Sequence, residues 1–111
     1  MSNQKDEDGE YRKLSAKEIK SEISKLDGWS IKSGKLHREI DFASFEDAIS
    51  FMNRSAIEIA KLDHHPEWFN VYNHVTVDLV THDVNGISNY DFKLARNLNG
   101  LLVNYKLKRK S

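Results

Sequence analysis

Val71-Tyr-Asn-His-Val-Thr-Val-Asp-Leu-Val80 carries the strongest strand signal in the chain. Val71, Val75, Val77 and Leu79 share one side of an extended chain with Asn73. Tyr72, His74, Thr76, Asp78 and Val80 share the other. This two-residue alternation, rich in β-branched side chains, predicts a strand over 71–80. Working outward toward the C-terminus, Asn85-Gly86 within Asp83 to Ser88 marks a turn. Ser88-Asn-Tyr-Asp91 is a helix-capping box, and Phe92, Ala95, Leu98, Leu102 and Tyr105 follow at helical spacing. A further short strand is expected near Gly86-Ile87.

Toward the N-terminus, Pro66 disfavours helical geometry in the residue before it, so the preceding helix should stop near Asp63. That helix opens at the cap Ser44-Phe-Glu-Asp47, and Phe45, Ala48, Ile49, Met52, Ala56 and Ile59 predict its buried stripe. Trp29 to Ile31 and Leu36 to Phe42 flank Ser33-Gly34 and read as a hairpin. Ser15-Ala-Lys-Glu18 caps a first helix carrying Ile19, Ile23 and Leu26. Helices interleaved with short strands predict an α+β domain of two layers, a small antiparallel sheet with helices packed on one face. Residues 1–13 lack any apolar period and read as a disordered N-terminal tail; the folded domain spans 14–105, and Lys106 to Ser111 form a basic C-terminal tail.

Composition narrows the function. The 111 residues suit one domain. With no cysteine, a disulfide framework, a thiolate nucleophile and a thiolate metal site are excluded. Seventeen basic and seventeen acidic side chains balance to zero net charge, against a direct electrostatic grip on nucleic acid. No apolar run approaches the roughly 18 residues needed to span a membrane. The first ten residues are too acidic for a secretory signal or transit peptide, so a cytoplasmic location is expected.

Five histidines and one proline stand out, and His64 and His65 directly precede Pro66. Histidine moves protons near neutral pH. His64 and His65 sit at a helix end, and His82 follows the long strand between Thr81 and Asp83, both places where a two-layer fold opens into a pocket rim. His37 and His74 fall on the polar sides of their strands. Three histidines could also ligate zinc, but adjacent ligands strain a tetrahedral site and no HExxH spacing occurs. Asp91 belongs to a capping box whatever else it does; Trp68 and Tyr72 read as core or pocket wall, although flat aromatics near a histidine pair suit a planar heterocycle.

His64-His65-Pro66, Tyr72, His82 and Asp91, within His-His-Pro-Glu-Trp-Phe-Asn-Val-Tyr-Asn, Thr81-His-Asp83 and Gly86-Ile-Ser-x-x-Asp91, resemble the signature of the pterin-4a-carbinolamine dehydratases. The resemblance runs from about Leu14 to Tyr105. It implies helices on one face of a four-stranded antiparallel sheet. It also implies a hydro-lyase that dehydrates 4a-hydroxytetrahydrobiopterin to the quinonoid dihydropterin in tetrahydrobiopterin recycling, with no metal and no organic cofactor. The same resemblance makes His64 and His82 the leading acid/base candidates without saying which is acid and which is base. It gives His65 a positioning or shared proton role, and gives Asp91 the task of orienting a histidine or tuning its pKa. Asp63, Pro66, Trp68, Thr81 and Asp83 would line the pterin site.

A homodimer or homotetramer is implied too. So is a second role found in some animal members, as a dimerisation cofactor for a homeodomain transcription factor, with the nucleus as a second location. One departure concerns residue 60, where the family usually has a charged residue and this chain has Ala60. Glu58 cannot replace it, because two positions along a helix turn the side chain through about 200°.

Overall fold

Three serines set the helix starts in the computed structural model, which describes residues 10–108. Ser15 caps α1 (Ala16–Ile23), Ser44 caps α2 (Phe45–Leu62) and Ser88 caps α3 (Asn89–Leu102). Each serine oxygen accepts a first-turn backbone N–H that would otherwise lack a partner. Glu18 and Asp91 complete reciprocal capping boxes by accepting from the backbone of their own caps.

Between the helices run β1 (Ser30–Lys32), β2 (Lys35–Asp41), β3 (Glu67–Val71) and β4 (His74–Leu79). They form one antiparallel sheet in the order β1-β2-β4-β3. Register puts Leu36 opposite Leu79, Arg38 opposite Val77 and Ile40 opposite Val75, so these side chains share one face. That face meets α2 and α3 in a single core containing Leu36, Ile40, Phe42, Phe51, Val75, Val77, Leu79, Phe92, Leu94 and Leu98. The opposite face carries His37, Glu39, Asp41, His74, Thr76 and Asp78. The fold is α+β, with three α-helices and an open four-stranded sheet among the described residues.

The fourth strand lies elsewhere than expected. Residues 71–80 are not one strand: the chain reverses at Tyr72-Asn73, and residues 67–71 form β3 beside β4. Tyr72 adopts a left-handed φ of 53° without glycine or proline nearby to announce it. Asparagine side chains hold this turn. Asn70 Nδ2 donates to the carbonyls of Tyr72 and His74, and Asn73 Nδ2 donates to that of Phe42 at 2.7 Å. Val71 therefore pairs with His74 and shares its face rather than that of Val75. Near Gly86 there is only a single bridge to Thr81, because a 3-10 turn at His82–Val84 intervenes.

The α2 stripe is also rotated from the expected one. Ala48, Phe51, Ser55 and Ile59 are buried, whereas Phe45 and Ala56 are exposed. Ser55 occupies a core position that an apolar count passes over. Gly28, at a φ of 86°, permits a close approach: a Cβ there would lie 2.4 Å from the Arg38 guanidinium carbon.

Most of the expected tails, residues 1–9 and 109–111, lie outside the described residues. Those that are described touch the domain. Lys13 bridges Ser88, Leu107 bridges Phe42, and the Lys108 N–H donates to the Asp41 carbonyl at 2.7 Å.

Candidate active site

The end of α2 aims the first histidine. Asp63 takes a left-handed conformation (φ 50°), and the His64 N–H reaches back to the Ile59 carbonyl at 3.3 Å. This closure resembles a glycine-type helix stop made by an aspartate, a residue that tolerates the left-handed region better than most. Pro66 prevents the helix from resuming. His64 is thereby turned inward and is 5% exposed, while the neighbouring His65 stays on the surface.

Inward, His64 meets Asp91. Its Nε2 lies 2.6 Å from Asp91 Oδ1, across 27 residues of sequence, and the Asp91 side chain is fully buried. The other carboxylate oxygen is also occupied, accepting the Thr81 hydroxyl at 2.8 Å and the Ser88 N–H at 2.8 Å. Since Thr81 spends its hydroxyl proton on Asp91, the 2.7 Å contact with Ser88 is donated by the serine hydroxyl. Ser88 Oγ in turn accepts from the Tyr90 N–H. Asp91 therefore both caps α3 and holds the imidazole of His64 in a fixed orientation.

Above this pair lies a hollow of about 180 Å³, lined by Tyr11, Asp63, His64, His65, Val80, Thr81, His82 and Asp83. The three histidines singled out from the sequence thus border one space. They differ in setting. His65 Nε2 lies 3.3 Å from Asp63 Oδ1 and His82 Nε2 lies 3.5 Å from Glu67 Oε2, both with largely exposed rings. Glu67 is also held by Lys35 at 2.6 Å, and bonding to Lys35 keeps its carboxyl below the usual range. Among the described residues no group of three or more histidine, aspartate or glutamate side chains is arranged to hold a metal ion.

Pro66 and Trp68 do not reach this hollow. They line an adjoining one of about 250 Å³ with Ala56, Ile59 and Ala60, and His65 borders both. The side chain at residue 60 therefore faces the second space. Asp91 lies behind the first hollow rather than in its wall. Tyr72, at the β3–β4 turn, lines neither.

The sequence places Tyr11 in the N-terminal tail, yet it belongs to the wall. Its ring centroid lies 5.6 Å from that of His64 and 4.9 Å from that of Tyr90, edge to face with the latter. Burial raises its pKa, and the charges of Asp83, Asp63 and Asp91 raise it further, so the phenol keeps its proton at neutral pH. A lone aromatic in a charged, periodless stretch carries no sequence signal for such a placement.

Two histidines lie on the opposite face of the sheet. His37 bonds Asp78 at 2.7 Å and Glu39 at 2.8 Å, and His74 bonds Asp41 at 2.6 Å. Burial works against a charged His37, but its bonds to Glu39 and Asp78 outweigh that and raise its pKa.

Comparison with known proteins gives a concordant picture. Residues 12–101 match the family model described as pterin 4 alpha carbinolamine dehydratase. A protein of Solibacter usitatus, named provisionally as a pterin-4-alpha-carbinolamine dehydratase, is 49% identical over 89 residues, covering 80% of this chain and 94% of its own. One from Chelativorans with the same name is 47% identical over 90 residues, covering 79% of this chain and 92% of its own. A crystal structure from Brucella melitensis, titled transcriptional coactivator/pterin dehydratase, superposes with a TM-score of 0.78 at 41% identity. It covers 81% of this chain and 98% of that one.

Proposed function

The chain belongs to the pterin 4 alpha carbinolamine dehydratase family, and from that premise we propose that it dehydrates 4a-hydroxytetrahydrobiopterin by histidine acid/base catalysis. The observation that carries the proposal is the buried His64–Asp91 pair at the floor of a hollow bordered by His65 and His82. The space is smaller than the roughly 300–1,000 Å³ of enclosed small-molecule sites, so it takes one edge of a bicyclic pterin and leaves the rest at the rim.

The reaction breaks the C4a–O bond, releases water, and forms a C4a=N5 double bond as N5 loses its proton. An acid must protonate the departing oxygen and a base must accept the N5 proton. With Asp91 accepting from Nε2–H, His64 presents Nδ1 as a proton acceptor, which suits the base. His82, at the rim and open to solvent, suits the acid, because it can be reprotonated between turnovers. His65 positions the ring or shares the proton work, and Asp63, Thr81 and Asp83 complete the wall. Pro66 and Trp68 meet the substituent that extends into the adjoining hollow. The scheme calls on neither a metal nor an organic cofactor, and it serves tetrahydrobiopterin recycling.

Optical decay of the 4a-carbinolamine tests this. Wild type accelerates the decay over the spontaneous rate, and His82→Ala slows it severalfold or more. No acceleration by wild type would overturn the reading. A homodimer or homotetramer accompanies it, for which the exposed Phe69 and Val71 on the edge strand β3 offer contact area. Sedimentation showing only a 12.9 kDa species would contradict that assembly.

A second reading, a dimerisation cofactor for a transcription factor, is favoured by the coactivator title of the Brucella structure. Pull-down with homeodomain transcription factors tests it, and no specific retention would leave the enzyme reading alone.

A further inference from the structure

The segment before α1 is fastened to the same turn that carries Asp91. The Leu14 N–H donates to the Ile87 carbonyl at 2.9 Å, and the Asn89 N–H donates to the Arg12 carbonyl at 3.1 Å. The Arg12 N–H donates to Asn89 Oδ1 at 2.7 Å. Lys13 and Ser88 form the bridge between the two stretches. These bonds place Tyr11 directly over the start of α3, where the buried Tyr90 ring braces it from beneath. The Tyr11 ring is therefore held in position before any ligand arrives.

We propose that Tyr11 is a pterin-binding residue, a wall of the His64 hollow against which the bicyclic ring rests. The inference deepens the dehydratase reading and rests on it. A proton can pass to His64 only from an atom within about 3 Å of its free ring nitrogen. A planar bicycle docked that closely falls within van der Waals reach of a ring whose centroid is 5.6 Å from that of His64. Aromatic faces pair favourably with flat heterocycles, in offset or edge-on arrangements. Tyr11 lines the hollow together with the carboxylates of Asp63 and Asp83. Nothing else among the residues lining that hollow supplies a six-membered aromatic wall.

The test uses the full chain as wild type, Tyr11→Ala and Tyr11→Phe. Two readouts are taken: equilibrium binding of 7,8-dihydrobiopterin by fluorescence titration, and steady-state carbinolamine dehydration. Loss of one aromatic contact predicts roughly tenfold weaker dihydropterin binding and a similar rise in KM for Tyr11→Ala, with kcat within about twofold of wild type. Tyr11→Phe keeps the ring and stays within about threefold of wild type in both readouts. Wild-type binding and KM in Tyr11→Ala, beside an active wild type, would overturn the role of Tyr11 and leave the dehydratase reading standing. An equal loss of kcat and of thermal stability without a change in KM would make Tyr11 a folding residue and overturn it too. A wild type that neither binds dihydropterin nor accelerates dehydration would remove the dehydratase reading, and the role of Tyr11 with it.

Discussion

Asp91 ties His64 to Thr81 and Ser88. It accepts from Thr81 and Ser88 on one oxygen and faces His64 on the other, entirely out of solvent. Asp91→Asn should keep the shape and most of the cap but present His64 with an amide. Loss of the acceptor that orients His64 predicts a fall in kcat of about 10²-fold or more, with a far-ultraviolet spectrum like that of wild type. Unchanged kcat would show that the pair is structural only.

His37 couples stability to pH. Its pKa is raised on folding, so its bonds to Asp78 and Glu39 add stability that is complete below the unfolded value, about 6.5, and is lost as pH rises through the folded value. Between about pH 6 and pH 8, the thermal midpoint of wild type should fall more steeply than that of His37→Gln. Parallel curves would contradict it.

Among the elements, α3 shows how tightly structure and site are joined. Ser88 caps the helix, and its hydroxyl also donates to Thr81, which donates to Asp91. Ser88→Ala should cost about 1 kcal/mol in urea unfolding, the ordinary loss for such a cap, and should lower activity by loosening Thr81. Stability unchanged within error would contradict the capping role.

The capping boxes and the β2 alternation were legible in the sequence because each is a local pattern: a serine oxygen three residues ahead of a carboxylate, or side chains alternating every two residues. The β3–β4 turn was not. Its left-handed Tyr72 is held by Asn70 and Asn73, side chains whose bonding depends on where Phe42 and His74 lie. The site divides the same way. His64, His65 and His82 stand out by residue type and spacing, whereas the place of Tyr11 depends on backbone pairing with residues 87–89, some 75 positions away, which no local pattern encodes.

For the molecule as a whole, one core serves both layers, and the His64–Asp91 pair sits at its margin rather than in a separate lobe. Leu98 lies within that core at 1% exposure. Leu98→Ala should lower unfolding free energy by about 2–5 kcal/mol, read from the urea midpoint at unchanged slope. A shift much below that would place Leu98 outside the cooperative core. The ladder of His37, His74 and their carboxylates covers the sheet face turned away from α2 and α3, which keeps that surface polar while the opposite one is buried.

On the proposed function, the hollow above His64 and Asp91 is where the carbinolamine loses water. The most direct measurement is the rate of carbinolamine dehydration by His64→Ala, with its folded state verified by thermal melting. Removing a proton-transfer group predicts a rate lower by about 10²- to 10⁴-fold than wild type. A folded His64→Ala protein working at the wild-type rate would contradict the account.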